Sequence, residues 1–393
     1  MQKNRSPTPT PQYISTCIDA QWFSDGRGVV TIHSDHTIQV CISPTNNFEN
    51  FYTRRWVKNQ SMMAGMVVPG TTSILLSCKN MPLQMYNLPL DSALNGNLPQ
   101  SYETPSTYLP SATFTYNTTF RVHNEAFSPL FSIISHPFEQ SRFYTGTNKA
   151  RIDTFDMQHK DPVRTWEPRP KRRRGVGHVS ALSTCKADPS VLYAGTSQHA
   201  VFHVDQRTKD MDYMVSCSNG VAQILQSDNA NYLYLIPKRF CDDNQTIKVW
   251  DLRKDDFVAK LHLPMTKSSN KELKMKNSKC SMNSLHGLLV GSPFDSSYIY
   301  KWDKIVVETG GVNAYSEEQN FPTDIIHYQD KFDLQDENLY TRIIETNPKN
   351  NHMAFICCTE KYRTGYKSVL KDKEIIGGKF TRSQPQRSIF FQF

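Results

Sequence analysis

The 393-residue chain has no run approaching the ~20 consecutive apolar residues that an α-helical membrane span requires. Its first twelve residues, MQKNRSPTPTPQ, lack the apolar core of a secretory leader. The nine cysteines, at 17, 41, 78, 185, 217, 241, 280, 357 and 358, include no CxxC pair, and no histidine follows them at zinc-finger spacing. That pattern fits neither a disulfide framework nor a structural zinc site. A soluble protein of a reducing compartment, cytosol or nucleus, is expected, with the cysteines as buried strand residues. The common local catalytic signatures are missing too: there is no GxSxG, HExxH or GxxxxGK(S/T). His199 and His203 can share one strand face, but no cysteine or carboxylate nearby completes a metal set. Cys357 and Cys358 sit in an apolar run without an adjacent base. The expectation is a protein that is not an enzyme, with no catalytic residue, no metal and no cofactor. Long stretches of helical period are scarce as well, which argues against a helical fold.

What is present is repetition. In QTIKVWDLR (245–253), Ile247 and Val249 alternate with Thr246 and Lys248, as in a strand with one buried face, and the phrase ends in a bulky Trp250 and a turn-forming Asp251. It returns at YIYKWDK (298–304) and, worn, at AVFHVDQR (200–207), ARIDTFDM (150–157), PLQMYNLP (82–89) and TIQVCISP (37–44). Six copies about 45 to 70 residues apart read as tandem propeller blades. A second phrase precedes two of them, where Tyr144-Thr145-Gly146-Thr147 is echoed by Tyr193-Ala194-Gly195-Thr196. Three strand-like runs within 14–43 make a first blade, and LHGLLVGS (285–292) with YIYKWD (298–303) supply the second and third strands of a sixth. A seventh is assembled from TRIIETNP (341–348), HMAFICCT (352–359) and the terminal SIFFQF (388–393). The expected fold is all-β: a single seven-bladed β-propeller over 13–393, preceded by a disordered tail at 1–12. Its ring would be closed by SIFFQF pairing with residues 13–18, leaving no open sheet edge. Trp250, Asp251, Trp302 and Asp303 are expected to anchor blades.

Long insertions fall between the repeats, at about 91–116, 158–176, 265–281 and 308–340, and charge is sorted onto them. The second holds Arg169, Lys171, Arg172, Arg173 and Arg174, bounded by Pro170 and Gly175. Such a run suits a solvated surface loop, a nuclear-import signal or a phosphate-contacting segment. The third holds Lys267, Lys271, Lys274, Lys276 and Lys279, which could contact RNA phosphates or simply be solvated. Tyr52, Trp56, Tyr102 and Trp166 are candidates to stack on bases or, equally, to pack. The last insertion is acidic around 330–337. The formal net charge of +8 is modest for this length, compatible with acidic partners such as RNA and with an ordinary basic protein.

Laid end to end, several phrases are ordered as in a known family. KNMPLQMYNL (79–88), TYNTTFRVHNE (115–125) and FSIISHPFEQSRFYTGTNKARIDTFD (131–156), with Gly146, Asn148 and Lys149, come first; GVGHVSAL (175–182), SVLYAGTSQHAVFHVD (190–205) and NGVAQI (219–224) lead on to TIKVWDLR. From about Ala20 to Arg253 the chain resembles the WD40 family that includes the telomerase Cajal body protein, and most of all its budding-yeast branch of nuclear splicing factors. The likeness thins after Arg253, and four of the six repeat endings lack tryptophan. What the resemblance implies is a WD40-type propeller that acts as a nuclear, non-enzymatic scaffold, monomeric in itself and without membrane contact. It would associate with small nuclear ribonucleoproteins, U1 foremost, and other splicing proteins, and assist pre-mRNA splicing, with RNA contact included. The rival readings are a protein–protein adaptor without RNA contact, such as a ubiquitin-ligase substrate receptor or chromatin reader, and a propeller enzyme with carboxylates or histidines converging on the channel.

Overall fold

The computed structural model describes residues 17–33, 37–42, 52–57, 61–88, 110–114, 129–168, 175–208, 210–240, 246–264, 275–276, 279–292, 298–309, 321–327, 339–360 and 386–392. Nearly all of them lie in antiparallel sheets. Blade 1 is β1 (Cys17–Trp22), β2 (Gly28–His33), β3 (Thr37–Ile42) and β4 (Tyr52–Val57). Blade 2 is β5 (Met62–Val67), β6 (Ser73–Cys78), β7 (Leu83–Asn87) and β8 (Ala112–Phe114). Blade 3 is β9 (Ser132–Ser135), β10 (Arg142–Gly146), β11 (Ile152–Asp156) and β12 (Arg164–Trp166). Blade 4 is β13 (Val179–Thr184), β14 (Val191–Thr196), β15 (Ala200–Asp205) and β16 (Met211–Ser216). Blade 5 runs through β17 (Val221–Gln226) and β18 (Tyr232–Pro237), past a short β19 (Arg239–Phe240), to β20 (Thr246–Asp251) and β21 (Asp256–His262). β19 pairs with β22 (Met275–Lys276) beside the blade. Blade 6 is β23 (Ser281–Asn283), β24 (Gly287–Gly291), β25 (Tyr298–Trp302) and β26 (Asp324–His327), with one helical turn, α1 (Lys304–Glu308), after β25.

The expectation of a seven-bladed propeller is corrected: the structure has six four-stranded blades. The arc between the sixth and the first is filled by a three-stranded sheet of β27 (Leu339–Thr346), β28 (Met353–Glu360) and β29 (Gln386–Gln392). These are the three segments expected to form the last blade, but among the described residues no fourth strand pairs with β29. The expected closure is also not made by the described part of residues 13–18. β29 pairs with β28, from Met353↔Gln392 to Thr359↔Gln386, while Cys17 pairs with His33 of β2. An innermost strand of blade 1 cannot also serve as the outermost strand of another sheet. Residues 1–16, including the expected tail, lie outside the described residues.

The first strands ring the axis, each touching the next and β27 returning to β1. Polar side chains clamp neighbouring blades together. Gln21 donates to the Gly65 carbonyl (2.9 Å) and accepts from the Val67 amide (2.8 Å), and Gln223 does the same with both main-chain groups of Cys280 (2.9 and 2.8 Å). Ser132 donates to the Val179 carbonyl (3.1 Å), the Leu130 amide donates to Ser77 (3.1 Å), and the Thr346 amide donates to Ser281 (3.0 Å). The seam between the last sheet and blade 1 is closed by Trp22 Nε1 donating to the Glu345 carbonyl and by Asn347 Nδ2 donating to the Gly26 carbonyl, both 2.8 Å. Cys17, Ala20 and Val29 pack there against Ile343, Phe355 and Cys357.

The core is a set of layers, one between each pair of neighbours. Middle strands such as β2 and β14 are buried at every residue, because they have a blade on either side, whereas the outer β16 is mostly exposed or half-buried. This explains the repeated Tyr-x-Gly-Thr phrase. A Cβ on Gly146 would stand 2.6 Å from Val179 Cβ, and one on Gly195 would stand 2.7 Å from Val221 Cβ, so glycine lets the next blade's first strand approach. Three outermost strands, β8, β12 and β26, lie inside stretches expected to be insertions.

Four antiparallel strands return the chain to the face from which it started, so every blade-to-blade join leaves one face, here called the connection face. The turns that join β1 to β2, or β3 to β4, and their equivalents lie on the other, the turn face.

Candidate nucleic-acid interface and channel site

The topology brings the strands that flank the sequence-predicted cations to one side of the ring. Arg169, Lys171, Arg172, Arg173 and Arg174 lie outside the described residues, as do Lys267, Lys271 and Lys274, and only the backbone of Lys276 is described. Their flanks are described: β12 and β13 bracket the first segment, and β21 and β23 the second. Both segments therefore start and finish on the connection face. So does 361–385, between β28 and β29, which sequence reading passed over although it has seven Lys/Arg and two carboxylates. By contrast, the segments that leave the turn face, 43–51, 89–109 and 310–320, carry five carboxylates and no Lys or Arg. The contrast is one of balance and not of pure sign: the acidic segment 328–338, with four carboxylates and one lysine, also joins the connection face between β26 and β27, and the short turns of the turn face hold both signs.

Between blades 3, 4 and 5 the floor of the connection face is built on His178, just before β13. Its ring stacks on Phe131, with centroids 3.8 Å apart and planes at 23°, and Lys238 Nζ lies 3.4 Å from Nε2. Burial, and then the Lys238 charge, lower the His178 pKa to about 4. A lysine ammonium can only donate, so the neutral ring accepts at Nε2. Trp166, a candidate stacking platform, is instead buried, with Nε1 donating to the Thr208 carbonyl (3.3 Å) and the Arg164 guanidinium 5.0 Å from its ring centre. The side chains of Tyr52 and Trp56, and all of Tyr102, lie outside what is described.

Lys279 belongs to a different site. Directly before β23, it is ion-paired with Asp19 of β1 inside the channel, its side chain 29% exposed. Burial works against its charge, but Asp19, a hydrogen bond to it and Glu345 leave its pKa raised. Glu345 of β27 faces the same pair. Burial lifts its pKa to about 7, with Lys279 pulling it down and Asp19 pushing it up. A cavity of ≈ 310 Å³ lies against these groups, lined by Gln21, Trp22, Val67, Gln223, Lys279 and Glu345 among others. Sequence reading missed Asp19 and Glu345, since neither belongs to a motif and they meet Lys279 only across the ring. Among the described residues no three His, Cys, Asp or Glu groups are arranged to hold a metal. His199 is exposed, and His203 tilts against Tyr193 with ring centres 5.9 Å apart.

The anchor residues differ between blades. Trp250 is buried and meets Phe257 edge-on at 4.9 Å. The fully buried Asp251 accepts from the Arg253 amide (2.9 Å) and from its Nε (3.1 Å) and a terminal nitrogen (2.9 Å), bonds that lower its pKa. Asp205 and Arg207 repeat this Asp-x-Arg clasp in blade 4. Trp302 is fully buried, but Asp303 is half exposed, pairs with Lys301 at 3.0 Å and starts α1.

No protein-family model matches the chain. It is similar to proteins named Protein SWT21: 26% identical to that of Kluyveromyces lactis over 88% of this chain and 82% of the relative, and 25% identical to that of Candida glabrata over 79% and 72%. To that of Saccharomyces cerevisiae it is 24% identical over 76% of this chain and 83% of the relative. Among solved structures, the β-propeller domain of Cps50 (Swd1) from Myceliophteria thermophila superposes with a TM-score of 0.52 over 88% of this chain and 96% of that one, at 11% identity. That likeness establishes the propeller architecture. The chain is thus a β-propeller, similar across most of its length to the budding-yeast proteins named SWT21.

Proposed function

We propose that the protein is a nuclear, non-enzymatic scaffold that associates with small nuclear ribonucleoproteins, U1 foremost, and assists pre-mRNA splicing. The observation that carries the reading is that the strands flanking segments 169–174 and 265–278, which hold five and four cations in the sequence, end on the connection face. Cations gathered on one face bind a phosphate polymer by releasing its counterions, without a base-reading pocket. The sequence resemblance to nuclear splicing factors names the class of particle. Lys279, engaged with Asp19, is left out of this interface. Arg169 and the cations at 171–174 also serve as the nuclear-import segment in this reading.

Crosslinking in cells followed by sequencing of the recovered RNA tests it. Small nuclear RNAs and pre-mRNA should be enriched, and their absence with intact protein would sink the proposal. Neutral residues at 171–174 should lower the nuclear share; an unchanged distribution removes the import role. Recovery that vanishes once ribonucleoprotein subunits are stripped away would mean a protein-mediated contact, as in the adaptor reading.

A further inference from the structure

Glu345 stands apart from the other channel charges. Among the described residues none hydrogen-bonds its carboxylate or reaches it at ion-pair distance, and the neighbouring cation, Lys279, is taken by Asp19. Both channel glutamines are likewise occupied, Gln21 by β5 and Gln223 by Cys280. Glu345 lines the ≈ 310 Å³ cavity together with Ala20, Val67 and Trp22, which give it apolar walls, while Ser24, Pro69 and Pro348 lie beyond the ends of β1, β5 and β27 and place its mouth on the turn face.

Apolar walls around an unmatched acid suit a methylene stem ending in a charged donor. The stem covers the walls and the head meets the carboxylate in a charge-assisted hydrogen bond. We propose that this cavity is a binding site for a cationic side chain, an amine or guanidinium on an extended segment of a protein partner, which enters from the turn face and ends on Glu345. The surrounding charge agrees in its balance: segments 43–51, 89–109 and 310–320 on this face carry five carboxylates and no Lys or Arg, and the shorter turns hold both signs, with Arg27 and Lys349 in the turns beside the mouth, so carboxylates outnumber cations and favour a basic peptide over a phosphate polymer. The site is independent of the RNA reading and lies on the opposite face.

The charged groups facing Glu345 are Lys279 ahead of β23 and Asp19 from β1. Because burial holds the empty carboxylate up at about 7, a bound cation stabilises its ionised form, and a proton leaves Glu345 for solvent on binding near neutral pH.

The test uses the full chain and short glycine–serine peptides carrying one central lysine, arginine or norleucine. Calorimetric titrations at pH 7 in two buffers of different ionisation enthalpy report affinity and protons released. The lysine and arginine peptides should bind with proton release and the norleucine peptide should not. Glu345→Gln should weaken binding by about ten- to a hundredfold, the worth of a charge-assisted hydrogen bond, and abolish the proton release. Pro348→Lys, at an exposed position of the rim, should weaken it too by supplying a competing ammonium. A uridine oligonucleotide should bind wild type and Glu345→Gln alike. Equal binding of the norleucine peptide, unchanged affinity in a folded Glu345→Gln protein, or no binding of either cationic peptide at millimolar concentration overturns the proposal.

Discussion

Lys279 ends a run of five lysines in the sequence, yet its partner Asp19 lies 260 residues away, across the ring. Removing the ammonium would leave Asp19, itself 7% exposed, without its counter-charge. Breaking a fully buried pair costs about 3–5 kcal/mol; with Lys279 partly exposed, Lys279→Met is expected to cost about 2 kcal/mol. That should lower the thermal midpoint by roughly 2–3 °C. Adding Asp19→Asn should recover part of the loss, which a double-mutant cycle measures. Glu345 makes a separate prediction through pH. Its folded pKa, about 7, lies above the ordinary glutamate value of 4.5, so the folded state holds the proton more tightly. Wild type should therefore lose stability relative to Glu345→Gln as pH rises from about 4.5 to about 7, and the difference should be flat above that window. Denaturant melts across the range check it, and a difference independent of pH would contradict the buried-acid account.

Elements of a propeller differ by their distance from the axis. Second and third strands lie between two other blades, so they read as apolar runs and were legible: β14, β15, β20, β24 and β25 all fall on phrases picked from the sequence. The outermost strands β8, β12 and β26 were not. β8 and β12 have three residues each and β26 has four, too few for alternation to show, and each has a neighbouring strand on one side only. Inter-blade turns impose a different rule, which two glycines on the connection face separate. Gly220 has φ +66°, and an added Cβ would stand 2.3 Å from the Ser197 carbonyl oxygen; Gly175 has φ +73°, but the nearest atom would be 3.8 Å away. Gly220→Ala should therefore cost about 3 kcal/mol, combining backbone strain with displacement of the blade 4 turn, and Gly175→Ala about 1 kcal/mol from strain alone. Equal losses in chemical denaturation would show that crowding at Ser197 is relieved at no cost.

For the whole molecule, the even number of strands per blade decides which segments share a face. If the cations at 171–174 meet RNA phosphates, neutralising all four should flatten the plot of log affinity against log salt by up to about 3, at about 0.7 per phosphate on a single strand. Filter binding with a single-stranded RNA at several salt concentrations measures this. An unchanged slope would confine the segment to import or solvation. The acidic segments of the turn face should leave the slope untouched when neutralised, because they lie across the ring from the RNA in this reading.

The all-β class, the repetition and the order of the blades were determined by the sequence itself, because alternation, turns and Trp-Asp endings are properties of a few adjacent residues. The resemblance through Arg253 pointed to a propeller on the same local grounds. Tertiary structure alone decided that six blades are complete, that a three-stranded sheet fills the last arc, and that Trp22 and Asn347 close the seam. It also decided that Lys279 joins Asp19 beside Glu345 in the channel, while the segments flanking 169–174 and 265–278 reach one face. Such meetings join residues hundreds of positions apart. No local periodicity encodes them; they follow from ring closure and from the parity of the strands.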